Sequence, residues 1–534
     1  MVSKIGPDEF DLTIKFGGGL HTRAAEDDIH EREAADGNNF LLDLENRELR
    51  PRPPFDLVGT APNGGSILGG GSLLKTDGTV KAFFQAGTNV YQWDGTDFQA
   101  SPLLDTVSAS AKLRAHFHSH AWALADKILI TDLALAEVVK EWDGTTWADV
   151  TFLSGASAAF GNFFAKYMLI SNERAVFAHV KDAGATSRHM IVGSQRGDYT
   201  KISVSDRPSS SLAEDDPFFL LAPDLKPINA LVEAFGSTII STEQGQIYDL
   251  TGASAKDFAF DDFYAGSAAI GDESMSFVGN DIIYGRRGRI ESVRDTDRFG
   301  DSESDDLSRL IADTVKTYPG WTVVYNSRLN RVYLFPEGIS EVWVFDTAML
   351  GGEVSPWMRW KTAHALAFQP TFVASMLDPS DGLEYVFMGN SSGNVFRLEG
   401  TGTDGDGGTT NIAVEFLSKL FSVPLNAQSF EIEGYIKYRK IETASTVEII
   451  FEYAGENIFS QSITLTLPAA EGGWYWGGEM YWGGSFYYGS ISGKLARQPI
   501  FPPGQGNEFQ VRVKVNGTED FAINEIGLRF RAAG

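Results

Sequence analysis

Gly87-Thr88-Asn89-Val90-Tyr91-Gln92-Trp93-Asp94-Gly95 is a glycine-centred turn, an aromatic strand and an Asp-Gly stop. Val, Tyr and Trp favour a pleated, half-buried surface, and Gly and Asp on either side punctuate it with turns. The phrase returns as Val139-Lys140-Glu141-Trp142-Asp143-Gly144 and as Gly245-Gln246-Ile247-Tyr248-Asp249-Leu250-Thr251-Gly252. It returns again as Gly288-Arg289-Ile290-Glu291-Ser292-Val293, as Val342-Trp343-Val344-Phe345-Asp346 and as Gly393-Asn394-Val395-Phe396-Arg397-Leu398-Glu399-Gly400. Its intervals are mostly of about 40 to 57 residues, and a period of that size made of hairpin signals predicts a β-propeller. The fold expected is all-β, with six or seven blades over 61–400.

Outward from this ring the pattern changes. Residues 1–60 lack the phrase and are expected to form an extended N-terminal arm, with Phe40 to Leu44 as a strand. Arg50-Pro51-Arg52-Pro53-Pro54-Phe55 is expected to be irregular, because proline lacks a ladder donor and restricts its predecessor. Leu307, Leu310, Ile311 and Val315 fall at helical spacing, so a short helix is predicted over 304–317, with Ser304, Asp305 and Asp306 placed to cap it. Residues 401–410 read as a Gly/Asp hinge. Beyond it, 411–534 alternates apolar and polar residues as an antiparallel β-sandwich does. Within the sandwich lies a Gly-rich aromatic insert over 472–489.

The chain has 534 residues, with 71 acidic and 44 basic side chains and a net charge of −27. That balance argues against a phosphate-binding groove, which needs clustered Lys and Arg. There is no cysteine, which excludes disulfides, thiolate zinc sites and Cys nucleophiles. No apolar run is long enough to span a membrane, and the N-terminus lacks the apolar core of a secretory signal, so a chain made and kept in a cytoplasm is expected.

Four constellations could carry chemistry. His116, His118 and His120 would share one face of a strand, at metal-ligand spacing. Arg114 shares that face and no carboxylate partner is evident, so a polar strand is the preferred reading and no metal is expected. Asp404 and Asp406 suggest a calcium loop, but the twelve-residue pattern with its terminal Glu is missing and turn chemistry explains them. Asp301, Glu303, Asp305 and Asp306 read as a solvated loop and helix cap. Trp474, Tyr475, Trp476, Tyr481, Trp482, Phe486, Tyr487 and Tyr488 are the expected partner-contact residues, since Tyr and Trp carry interface energy at low entropic cost. The repeated Ser-x-Asp-x-Gly-x-x-Trp turn of sialidases is absent from the sequence. No catalytic residue, no cofactor and no enzymatic activity are therefore expected.

Four stretches together resemble the tail nozzle, or tail hub, proteins of short-tailed bacteriophages. The first is Gly19-Leu20-His21-Thr22-Arg23, followed by Asn39 to Leu44 and Arg50-Pro51-Arg52-Pro53. The second runs from Ile282-Ile283-Tyr284-Gly285 through Gly288-Arg289-Ile290 to Leu307-Ser308-Arg309-Leu310-Ile311. The third is Val342 to Asp346 with Trp357-Met358-Arg359-Trp360, and the fourth is Phe387-Met388-Gly389 to Val395-Phe396-Arg397-Leu398, with Asp404-Gly405-Asp406-Gly407 beyond. The resemblance implies a structural virion protein, assembled in the host cytoplasm as a homo-oligomeric ring, a hexamer, below the portal and adaptor. Its implied partners are the head-tail adaptor, a tail fibre or needle protein, and double-stranded DNA that passes without sequence-specific binding. A ring of six would carry on the order of −160, an acidic lumen along which DNA slides. The alternative is a lectin-like propeller module that binds carbohydrate or a protein partner.

Overall fold

In the computed structural model the structure describes residues 2–6, 9–16, 18–23, 28–43, 48–104, 106–115, 126–154, 158–159, 161–182, 185–243, 246–265, 269–296, 301–349, 354–361, 369–400, 412–422, 430–439, 445–454, 459–467, 495–500, 508–517 and 521–532. Seven antiparallel blades follow one another around a ring. Their innermost strands are Ile67–Leu74, Leu113–Ala115, Phe163–Ser171, Ile228–Ala234, Met275–Val278, Trp321–Asn326 and Phe372–Leu377. Blades 1 and 2 are joined through a parallel bridge between Gly70 and Arg114. A Cβ on Gly69 would collide with the Leu113 backbone and one on Gly71 with Ala115, so these small residues are what lets the two blades approach.

The quoted phrase has a physical explanation. Trp93 and Trp142 are fully buried, and Phe83 meets Trp142 edge-on at 5.2 Å across the joint between blades 1 and 2. After each Trp comes the turn: Asp94 Oδ1 accepts from the amides of Thr96 and Asp97, and Asp143 Oδ1 from those of Thr145 and Thr146. Gly95 and Gly144 then take left-handed φ of 99° and 89°, which glycine adopts without strain. These amide bonds hold both carboxyls below the usual carboxylate range.

The first 60 residues are not an arm. Asp56–Thr60 is the outermost strand of blade 7, pairing with Asn394–Arg397, so the start of the ring closes onto its end. Arg397 bonds Asp56 at 3.4 Å and the fully buried Asp378 at 2.8 Å, an ionic latch on that closure. Val2–Gly6 and Glu9–Lys15 join a sandwich sheet in the order Val2–Gly6, Glu9–Lys15, Ile523–Ala532, Phe430–Arg439, Leu495–Ile500. Ala34–Asn38 starts the second sheet, followed by Ile412–Ser418, Glu508–Gly517, Ser445–Ala454 and Phe459–Leu467. The strand expected near Phe40 is present as Phe40–Asp43, and it pairs with Glu48–Pro51, so Arg50 and Pro51 are regular. Pro51 ends its strand, where a missing donor costs little.

One apolar core runs without a break from Leu12 and Ile14 through Trp321, Trp343 and Trp357 to Phe451 and Phe530. Sandwich and blades 5 and 6 therefore share an interior. The helical prediction is corrected in its start. Asp301–Asp306, including Ser304 and Asp305, is the outermost strand of blade 5, not a loop, because it pairs in register with Glu291 to Thr296. The helical turns are Leu307–Ile311 and Ala312–Val315, and Asp306 makes no side-chain cap. It accepts instead from the Ser308 hydroxyl at 2.8 Å. Among the described residues no helix is long and apolar enough to cross a membrane.

Candidate functional site

The strongest convergence of sequence motifs lies where sandwich and ring meet. Gly19 and Leu20 donate backbone bonds of 2.7 Å to the carbonyls of Ser355 and Trp357, and Thr22 donates at 2.9 Å to Leu310. A Cβ on Gly19 would collide with the Trp357 backbone, so only glycine fits there. Trp357 Nε1 donates to Leu307 at 2.8 Å, and Trp360 Nε1 to Phe40 at 3.0 Å.

Asn39 is the hub of this junction. It sits at a left-handed φ of 59°, which asparagine tolerates better than most residues. Its Nδ2 donates to Ala413 of the sandwich at 2.9 Å, and its Oδ1 accepts from Lys361 N at 2.6 Å and Arg52 Nε at 3.0 Å. Arg52 is 1% exposed, donates also to Pro53 and Lys361 carbonyls, and stacks 3.8 Å over Phe55. Two buried carboxylates complete the site. Glu33 receives the Ser355 amide and the His21 ring, and Glu48 receives Arg50 and Arg439. A buried arginine that donates to the Asn39 amide oxygen and the Pro53 and Lys361 carbonyls is a positioning element, since leaving it unpaired would be costly.

A second cluster bars the ring's axis. Arg114, on blade 2, donates to Glu273 at 2.6 Å. Glu273 precedes blade 5, across the ring, and holds a left-handed φ of 58° that turns it inward. Beside it Asp272 accepts from Tyr167 Oη and pairs with Lys166, each at 2.6 Å, both from blade 3. Burial and the adjacent Asp272 carboxylate raise the Tyr167 phenol well above its usual range, so it stays a donor. Arg114, Met168, Leu231, Met275, Val324 and Val373 line the remaining axial cavity, of about 280 Å³.

Of the residues singled out from sequence, Arg114 faces this axis. His116, His118 and His120, the hinge with Asp404 and Asp406, and the insert with Trp474, Tyr475, Trp476, Tyr481, Trp482, Phe486, Tyr487 and Tyr488 lie outside the described residues. Glu33, Glu48 and the Asp272–Glu273 pair were not singled out, and Asn39 was named only as the start of a resembling stretch, not as a hub.

No family model and no curated protein matches the sequence. Among solved structures the chain is similar to the WD40 domain of Toxoplasma gondii coronin, at 9% identity over 68% of this chain and 86% of that one, with a TM-score of 0.38. It is similar to the β-propeller domain of Cps50 (Swd1) from Myceliophteria thermophila, at 11% identity over 65% of this chain and 100% of that one, with a TM-score of 0.35. It is also similar to an exo-β-1,3-galactanase from Phanerochaete chrysosporium, at 11% identity over 89% of this chain and 100% of that one, with a TM-score of 0.23. The seven blades themselves identify the fold as a β-propeller.

Proposed function

We propose that this chain is a structural, non-enzymatic subunit of a virus particle, a tail nozzle or hub of the short-tailed bacteriophage kind. In this role it forms the distal part of the DNA path below portal and adaptor, takes part in DNA retention and ejection, and docks fibre or needle proteins. The observation that carries the reading is the convergence of the resembling stretches. Gly19 to Arg23 and Asn39 to Leu44 lie hundreds of positions ahead of Leu307 to Ile311 and Trp357 to Trp360, yet Leu20, Thr22 and Phe40 bond to those later stretches at the junction. Loose turn motifs scattered by chance would have no reason to share one contact set.

The barred axis sharpens the reading. A cavity of about 280 Å³ crossed by two ion pairs has no room for a duplex whose major groove alone is about 12 Å wide. The DNA path therefore belongs between copies, along their acidic outer surfaces, where phosphates are repelled and do not stick.

The test is imaging of assembled particles. Antibody against the chain should label the tail tip, and reconstruction should place six copies in a ring around the DNA path. A single copy per particle, or a particle without the chain, overturns the proposal.

A further inference from the structure

The two sandwich sheets run in the same lateral order. Phe16, one residue beyond Glu9–Lys15, meets Phe416 of Ile412–Ser418 at 5.0 Å. Phe530 of Ile523–Ala532 meets Phe509 of Glu508–Gly517 at 5.1 Å. The second strand of one sheet thus covers the second of the other, and the third covers the third. It follows that Val2–Gly6 ends its sheet on one flank, while Phe459–Leu467 ends the other sheet on the opposite flank.

An exposed strand edge offers unpaired N–H and C=O groups, and proteins protect such edges with charge, proline, bulges or cover. Leu495–Ile500 carries Arg497 and Pro499. Ala34–Asn38 is bulged and is bonded to blade 6 through Arg359, which donates to Asn38 at 2.7 Å and Asp36 at 2.6 Å. Phe459–Leu467 has no charge, proline or bulge of its own. Its nine residues, Phe-Ser-Gln-Ser-Ile-Thr-Leu-Thr-Leu, include no charge, proline or glycine. Among the described residues it pairs with Ser445–Ala454 alone. Val2–Gly6 likewise pairs with Glu9–Lys15 alone, and its single charge is Lys4.

We propose that Phe459–Leu467 accepts the Val2–Gly6 strand of a second copy, so that the sheet of one subunit continues into its neighbour. Donor and acceptor are different edges on opposite flanks, so the contact is head-to-tail and propagates into a ring and not a closed dimer. Copies of net charge −27 repel one another, and these two edges bring together one lysine and no acid. The inference rests on the ring reading and names its contact.

The absence of cysteine makes the test clean. In the full chain, Ser3→Cys is combined in turn with Ser460→Cys, Ser462→Cys or Thr464→Cys, and concentrated protein is oxidised. Facing residues in a ladder have Cα atoms about 4.5 to 5.5 Å apart, within the reach of a disulfide. At least one double variant should give disulfide-linked dimers and higher multiples, with none from any single variant. Cross-linking of Ser462→Cys alone would mean that the edge pairs with itself and overturns the proposal, as does the absence of cross-links in all three double variants. Thr464→Lys should reduce multimers at least tenfold while the subunit keeps its melting temperature, and an unchanged multimer distribution also overturns it. A symmetric tail ring found without this contact would leave the nozzle reading standing and remove only this inference.

Discussion

Blades 1 to 4 and blades 5 and 6 are held together by different means. The joints among the first group each have a separate apolar cluster, such as Phe83 with Leu113 and Trp142, or Phe218 with Ile240 and Phe258. Those contacts join hairpins close in sequence. Blades 5 and 6 share one interior with the sandwich, and their contacts join Gly19 to Ser355 and Leu20 to Trp357. One part of the ring is a modular array, stable by nearest-neighbour contacts. The other is a single cooperative body assembled from both ends of the chain.

The largest blow to that difference should come from Trp357→Ala. The ring is fully buried and packs edge-on to Phe345 at 4.8 Å, so its removal is expected to cost about 3–5 kcal/mol in chemical denaturation. Hydrogen exchange should then quicken together in Glu9–Lys15, Trp321–Asn326 and Ile523–Ala532, and not in blade 2. Equal opening of blade 2 would erase the distinction between the two regions. Arg397→Met tests the latch between the ends of the ring. It leaves Asp378, 0% exposed, without its cation and should cost about 3 kcal/mol, the lower end for a broken buried pair. The unfolding transition should stay single, because closure couples blade 7 to the strand ahead of blade 1.

Arg114→Met probes the bar across the axis. Glu273 keeps partial access to water at 29% exposure, so the loss should be smaller, about 1.5–3 kcal/mol, the range for a hydrogen bond to a charged group. A neutral result would mean that the bar adds nothing to the link between blades 2 and 5. The smallest effect is expected from pH. Burial pushes the His179 imidazole below its ordinary value of about 6.5, and its Nδ1 meets the Ile228 carbonyl at 3.0 Å. The unfolded chain then binds more protons, so this contribution is present above about pH 6.5 and is lost as pH falls toward the folded value. His179→Asn, which tolerates the left-handed φ of 54°, should flatten the melting temperature across that window. An unchanged slope would assign the pH response to other groups.

The blades were legible because their signals are local. A buried Trp followed by Asp-Gly is strand and turn within six residues, and the structure places Trp93 and Trp142 as that pattern requires. The N-terminal strands were not legible as part of the sandwich. Phe10-Asp11-Leu12-Thr13-Ile14 alternates as a strand should, but its partner is in the last twelve residues, with Asp11 opposite Arg529. No local rule links positions so far apart. Asp301–Asp306 was misread for another reason. An outermost strand with one neighbour has little need for apolar residues, so its composition imitates a loop. The junction was visible only as a set of motifs whose meeting place composition does not encode.

The pairing of the chain's two ends also sets a clock on biosynthesis. Glu9–Lys15 leaves the ribosome hundreds of residues ahead of its ladder partner, Glu525 to Arg531. At roughly 5–20 residues per second, those first strands wait on the order of 25–100 s for a partner. Asp56–Thr60 finds its partner once Asn394–Arg397 emerges, so the ring can close first, while Glu9–Lys15 stays unpaired until Ile523–Ala532 follows. A product truncated ahead of Ile523 therefore cannot complete the sandwich sheet and masquerade as a mature subunit.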